Sequence, residues 1–276
     1  MYRLKSPLTA QLELTDACNN ACLHCYNYWR YLETNQRFSS DSHKINIEHF
    51  RSLLDYLIVN EVRTVTLTGG EPFLRRDVLF DLIVMAKRAN MKVGVNTNGV
   101  LVTEDDVSRL KNAGTDFILV ALLSDNAVIH NRMTNSNAHA LTSGTIVNLV
   151  KADLNVAVNM VVSSYNWDRV RQTAIYVKDL GIKEFSATPI LPCPLAKGHL
   201  DLLLKPKQVK QVLSDLLWIK RQGMKVDVLE PLVHCMFDQE ERTRFSQFLD
   251  NRSCSAGISD MVISPTGDVR PCILAT

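Results

Sequence analysis

The stretch Gln11-Leu12-Glu13-Leu14-Thr15-Asp16-Ala17-Cys18-Asn19-Asn20-Ala21-Cys22-Leu23-His24-Cys25 decides how the rest of the chain is read. Residues 11–15 alternate polar and apolar side chains and predict a strand. The loop at the carboxyl end of that strand then carries three thiols in a CxxxCxxC pattern. Thiolates are the usual ligands of iron–sulfur clusters. Three of them hold three irons of a [4Fe–4S] cube and leave the fourth iron open to a small chelating molecule. Two other readings fit the spacing. Positions i, i+4 and i+7 share one face of a helix, although Asn19 and Asn20 are poor helix formers. The other is zinc with His24 as a fourth ligand, although His24 adjoins Cys25 and would have to point the same way.

Composition narrows the class. The chain has 276 residues, 46% hydrophobic and 22% charged, which suits a folded protein with a sizeable core and excludes a disordered or collagen-like one. Basic residues number 31 and acidic residues 29, a net charge of +2, so no nucleic-acid partner is expected from bulk electrostatics. The longest apolar run, residues 117–123, is of strand length and far short of the ~18 residues of a membrane span. Residues 1–17 lack the apolar core of a signal peptide. A cytoplasmic protein with no membrane partner is expected. Its seven cysteines are odd in number and too sparse for a disulfide scaffold, so reduced thiols serving metal, cluster or catalysis are expected.

Outward from the cysteine loop, strand and helix patterns alternate. Ile47, Phe50, Leu53, Leu54, Leu57 and Ile58 recur at helical spacing behind Asn46 as an N-cap. A β-branched strand at 64–68 runs into Gly69-Gly70-Glu71-Pro72, followed by a helix at 78–89 and a strand at 92–96. Thr103 and Asp106 make a capping box for a helix that Gly114 closes. Residues 117–123 read as a strand covered on both faces. Helix 142–151, strand 156–162, helix 168–180 and strand 183–188 follow, then a helix opened by Pro206 and ended by Gly223. Six right-handed strand–helix units fit a partial barrel or a doubly wound sheet, with ligands at the carboxyl ends of the strands. Beyond Gly223 come a short strand at 225–229, a charged helix-like run at 240–250 and a hairpin at 261–273.

The run from Glu13 through Cys25-Tyr26-Asn27 resembles the opening of a radical S-adenosylmethionine (SAM) enzyme. That resemblance implies a partial (β/α)6 TIM-like barrel. It implies a cluster on Cys18, Cys22 and Cys25 whose open iron is chelated by SAM, and reductive cleavage to a 5′-deoxyadenosyl radical that abstracts a substrate hydrogen. Gly69, Gly70, Glu71 and Pro72 are similar to the GGEP segment that holds the methionine amino group, and Asn96-Thr97-Asn98-Gly99 resembles the family's TNG, placing Asn98 near SAM. Where the family often has a ribose-binding Ser, this chain has Ala121, and Ser124 is the substitute. His130-Asn131-Arg132-Met133-Thr134 resembles the HDRxTG stretch, otherwise a helix-entry loop. Asn159, polar within a strand, is assigned to SAM by the resemblance, with backbone satisfaction as the alternative. Residues 189–198 stand where the family has PxxPxGxA, with Cys193 in place of the expected pattern. That thiol either faces substrate or is a small core residue.

Cys254, Gly267 and Cys272 match C-x₉₋₁₅-G-x₄-C, the opening of a SPASM/twitch-like extension. The resemblance implies a probable auxiliary iron–sulfur cluster on Cys254 and Cys272. Only four residues follow Cys272, so a truncated extension is expected. Cys235 is open to three readings: a further ligand, a radical-quenching thiol, or an inert residue. The expected domains are a core barrel, 1–223, and an extension, 224–276. Enzymes with SPASM extensions most often modify peptides, so hydrogen abstraction in peptide or protein maturation of the RiPP type is the expected activity. The alternatives are a small-molecule radical SAM dehydrogenase, cyclase or decarboxylase, and a non-catalytic iron–sulfur protein. Expected partners are a peptide or protein substrate and a reductant such as flavodoxin or ferredoxin. With only 17 residues before Cys18, recognition of a leader peptide falls to the barrel mouth or to a separate peptide-recognition protein.

Overall fold

The computed structural model describes residues 4–26, 45–191, 200–250 and 254–275. Its strands are β1 (Thr9–Glu13), β2 (Thr64–Thr68), β3 (Lys92–Thr97), β4 (Phe117–Ala121), β5 (Val156–Val162), β6 (Glu184–Pro189), β7 (Lys225–Asp227), β8 (Asp260–Ile263) and β9 (Val269–Arg270). The helices are α1 (Ile47–Val59), α2 (Arg76–Arg88), α3 (Glu104–Ala113), α4 (Ala127–Thr134), α5 (His139–Lys151), α6 (Val170–Asp179), α7 (Pro206–Arg221), α8 (Gln239–Arg244) and α9 (Ser246–Leu249). The strands form one sheet in the order β7-β6-β5-β4-β3-β2-β1-β8-β9. Every neighbouring pair is parallel except β8 and β9.

The helix boundaries follow from local chemistry. The Asn46 side chain accepts the Glu48 N–H at the start of α1. Thr103 and Asp106 form the expected capping box, and Gly114 closes α3 in the left-handed region at φ 77°. Pro206 occupies the first turn of α7. Along β5, Val156, Val158, Met160 and Val162 are buried, while Ala157, Asn159 and Val161 on the other face are half-buried. Strand period two thus separates an outer face, packed in the core with helix residues such as Ile146, Leu149, Val170 and Val177, from an inner face left for ligands.

The hairpin expected near the carboxyl end forms, and it joins the main sheet. β8 lies parallel beside β1, with Gln11 opposite Val262. β7 extends the opposite end beside β6. A cavity of about 610 Å³ is lined by Val226 and Asp227 of β7 together with Gln11 of β1 and Met261 and Val262 of β8. Strands so far apart in sheet order share one cavity only if the sheet curls, so the architecture is an open, partial barrel. Among the described residues, no helix is long and apolar enough to cross a membrane.

Candidate active site

A second cavity, about 190 Å³, opens at the carboxyl ends of the inner strands. Its lining includes Cys18, Cys22 and Cys25, Gly69 and Gly70, and Asn98 and Asn159. Seven residues singled out from sequence thus meet in one place. Cys18 is buried, and Cys22 and Cys25 are half-buried. Among the described residues, no three His, Cys, Asp or Glu side chains gather as a single metal ion requires. A cube differs in spreading its thiolates over separate irons. The thiols of Cys18, Cys22 and Cys25 all line this one cavity. His24 lines the same cavity, and burial pushes its pKa down to about 4, so it stands neutral at pH 7.

The cysteine loop is held from two sides. On one side, Gly70 N–H donates to Thr15 O at 2.6 Å and Glu71 N–H to Ala17 O at 2.9 Å. Side chains are excluded there: a Cβ at Gly69 would lie 2.4 Å from Thr15 O, and one at Gly70 would lie 1.8 Å from Ala17 O. The glycine pair permits the close approach expected of it, and the partner it approaches is the chain's own cysteine loop. On the other side, Ala21 N–H and Leu23 N–H donate to the carbonyls of Thr134 and Met133, each at 3.0 Å. Those carbonyls belong to the end of α4, so the segment His130–Thr134 is helical and anchors the loop. Ser136 Oγ adds a hydrogen bond to Asn20 Oδ1 at 2.8 Å.

Glu71 and Pro72 lie behind the cavity wall, both buried. Glu71 Oε1 accepts from Thr97 Oγ1 at 2.7 Å and from Phe73 N–H at 3.2 Å, and Oε2 accepts from Asn98 N–H at 2.9 Å. Burial pushes the carboxyl pKa up to about 7 despite these donors. The carboxylate therefore ties the loop after β2 to the loop after β3. From α5, Thr142 Oγ1 donates to Asn98 O at 2.8 Å and Thr145 Oγ1 to Gly99 O at 2.6 Å.

Ser124 does not line the cavity. It is fully buried, and its Oγ accepts the Asn126 N–H at 3.1 Å as α4 begins. Ala121, the departure noted in sequence, does line it. Asn159 Oδ1 accepts from Ser186 Oγ and Thr188 Oγ1, each at 2.9 Å, which leaves its amide protons as the offered group. Sequence reasoning missed Tyr26, Thr68, Leu119 and Val161 in the lining. For Leu119 and Val161 the strand alternation held the signal, since each shares a face with Ala121 or Asn159. Cys254 and Cys272 line the larger cavity between the sheet ends. Cys235 is exposed in the turn His234–Met236 and lines neither cavity. Cys193 lies outside the described residues.

Residues 12–177 match the model of the Radical SAM superfamily, and the chain belongs to that family. The family is one of enzymes that use a [4Fe–4S] cluster and SAM. Over 270 residues the chain is 30% identical to the antilisterial bacteriocin subtilosin biosynthesis protein AlbA of Bacillus subtilis (strain 168), covering 97% of this chain and 55% of that protein. It is 26% identical over 275 residues to the mycofactocin maturase MftC of Mycolicibacterium smegmatis, covering 99% of this chain and 66% of that one. The chain thus spans between about half and two thirds of the length of these relatives. The fold matches Streptococcus suis SuiB bound to S-adenosylmethionine with a TM-score of 0.76 at 15% identity, covering 98% of this chain and 61% of that one.

Proposed function

We propose that this chain carries the core of a radical SAM enzyme that abstracts hydrogen from a peptide or protein substrate during its maturation. One observation carries the reading: the thiols of Cys18, Cys22 and Cys25 share a cavity with Gly69, Gly70, Asn98 and Asn159 at the carboxyl ends of the strands. Cys18, Cys22 and Cys25 would hold the [4Fe–4S] cluster. When bound, cluster and SAM supply a reductively generated radical able to take hydrogen from a C–H bond.

The chain's own residues bind, orient and exclude water. Leu119, Ala121 and Val161 line the same cavity as the thiols and give it an apolar side along β4 and β5. Gly69 and Gly70, packed on one side against the cysteine loop, also line the cavity, where the methionine end of SAM would lie. Asn159 offers amide protons to an acceptor on the cofactor. Glu71 holds both loops in register behind the wall.

Peptide substrate is supported by the similarity to two proteins named for biosynthesis of a bacteriocin and for maturation of mycofactocin. Cys254 and Cys272 face one cavity at the sheet ends, which supports an auxiliary cluster there, in a functional division near residue 223. A flavodoxin or ferredoxin would supply electrons, the barrel mouth or a separate protein would take up the peptide, and the setting would be cytoplasmic.

The substrate class is tested by incubating the reconstituted protein with SAM, a reductant and the peptide encoded beside its gene. A mass loss of hydrogen on that peptide is expected. Turnover of SAM with no peptide mass change, whichever candidate peptide is offered, would contradict it. Iron quantitation of the Cys254→Ala, Cys272→Ala double variant tests the auxiliary site, where unchanged iron content would overturn the assignment.

A further inference from the structure

All the hydrogen-bonding atoms of the Asn98 side chain are committed. Its Oδ1 accepts the Val100 N–H at 2.9 Å, which fixes the end of the amide that is oxygen. Its Nδ2 then has two protons to give. One goes to Asn19 Oδ1 at 2.9 Å and the other to Cys18 Sγ at 3.6 Å. The same sulfur receives the Asn20 backbone N–H at 3.4 Å. Cys18 is only 5% exposed, so these donors act on a sulfur largely removed from water.

The Asn98 donor is held rigidly. Its own N–H is bound by Glu71 Oε2 and its carbonyl by Thr142 Oγ1. Restraint on the main chain from two elements places the amide against the thiol. An ordinary turn would use only Oδ1, which Ser or Asp supply as well. The contact with sulfur needs the amide nitrogen.

We propose that Asn98 sets the reduction potential of the core cluster through its Nδ2–H···Sγ hydrogen bond to Cys18. The inference rests on the reading above that Cys18 is a cluster ligand. Adding an electron raises the negative charge on the ligand sulfurs, and a donor aimed at one of them stabilises that charge. The bond therefore favours the reduced cluster and raises its potential. Asn98 acts through Cys18 and is a positioning residue.

The test is a redox titration followed by electron paramagnetic resonance on the signal that changes when SAM is added. Asn98→Ser keeps a neutral turn acceptor for Val100 and lacks the reach to Cys18. Its reduced-to-oxidised ratio at the wild-type midpoint is expected to fall about tenfold, a shift of ~59 mV to more negative potential for one electron. Asn98→Asp keeps the turn oxygen, loses both donated protons and adds charge, so its shift is larger. It decides the matter if the serine variant loses iron. A midpoint equal to wild type in a variant with full iron content overturns the inference and leaves the cluster reading standing. If iron incorporation proves independent of Cys18, Cys22 and Cys25, the cluster reading falls and takes this inference with it.

Discussion

Glu71 shows how much of this site depends on one buried side chain. Its carboxyl titrates near 7 in the fold against 4.5 in the free state. The folded protein therefore binds that proton more tightly than the unfolded chain. Stability falls as pH rises from 4.5 to 7 and then levels off, with a total cost of about 3 kcal/mol. Urea unfolding of the iron-free protein at about pH 5 and about pH 8 should show that loss in the wild type and a smaller one in Glu71→Gln. Equal pH dependence in both would contradict the assignment. At Gly70 a methyl group would meet the Ala17 carbonyl, so Gly70→Ala should cost about 3 kcal/mol in unfolding free energy and weaken iron retention. The glycine pair was legible in sequence as a point of close approach. Its partner was not, because a doublet of glycines says that something comes near without saying what.

α4 belongs to a different scale, since it acts through its end rather than through any one side chain. Its last carbonyls hold Ala21 and Leu23, and its start is capped by the Asn126 side chain on Val128 and Ile129. Asn126→Ala should cost about 1 kcal/mol of stability. Iron retained by the reconstituted protein after gel filtration should drop with it, because the loop's anchor is loosened. Retention equal to wild type would show that α4 does not govern the loop. The alternation of strands and helices was readable because each unit carries its own hydrophobic period. The contribution of α4 was hidden, since backbone carbonyls leave no mark in a sequence. The bond from Asn126 N–H to Ser124 was hidden for a related reason: the residue's spacing fits either a ligand contact or a helix start.

Across the whole molecule, the tie between the two ends of the chain is the feature least visible from sequence. Glu13 on β1 and Arg270 on β9 form a buried ion pair at 2.5 Å, 1% and 7% exposed in their side chains. The pair joins the strand that leads into Cys18 to the hairpin that leads into Cys272. No local pattern announces it, because strand β8 finds β1 across some 250 residues and parallel pairing has no short-range code. Removing the guanidinium from a buried carboxylate is expensive, so Arg270→Met should lower unfolding free energy by ~3–5 kcal/mol. The double variant with Glu13→Gln should lose less than the sum of the two singles. Strict additivity in urea unfolding would mean the pair is not coupled.

The central claim is that the three amino-terminal thiols hold a cluster that opens SAM. Anaerobic reconstitution with iron and sulfide, followed by addition of SAM and dithionite, measures it through the yield of 5′-deoxyadenosine. The wild type is expected to form it, and the Cys18→Ala, Cys22→Ala, Cys25→Ala variant to form none. Iron-loaded wild-type protein that leaves SAM intact would contradict the account.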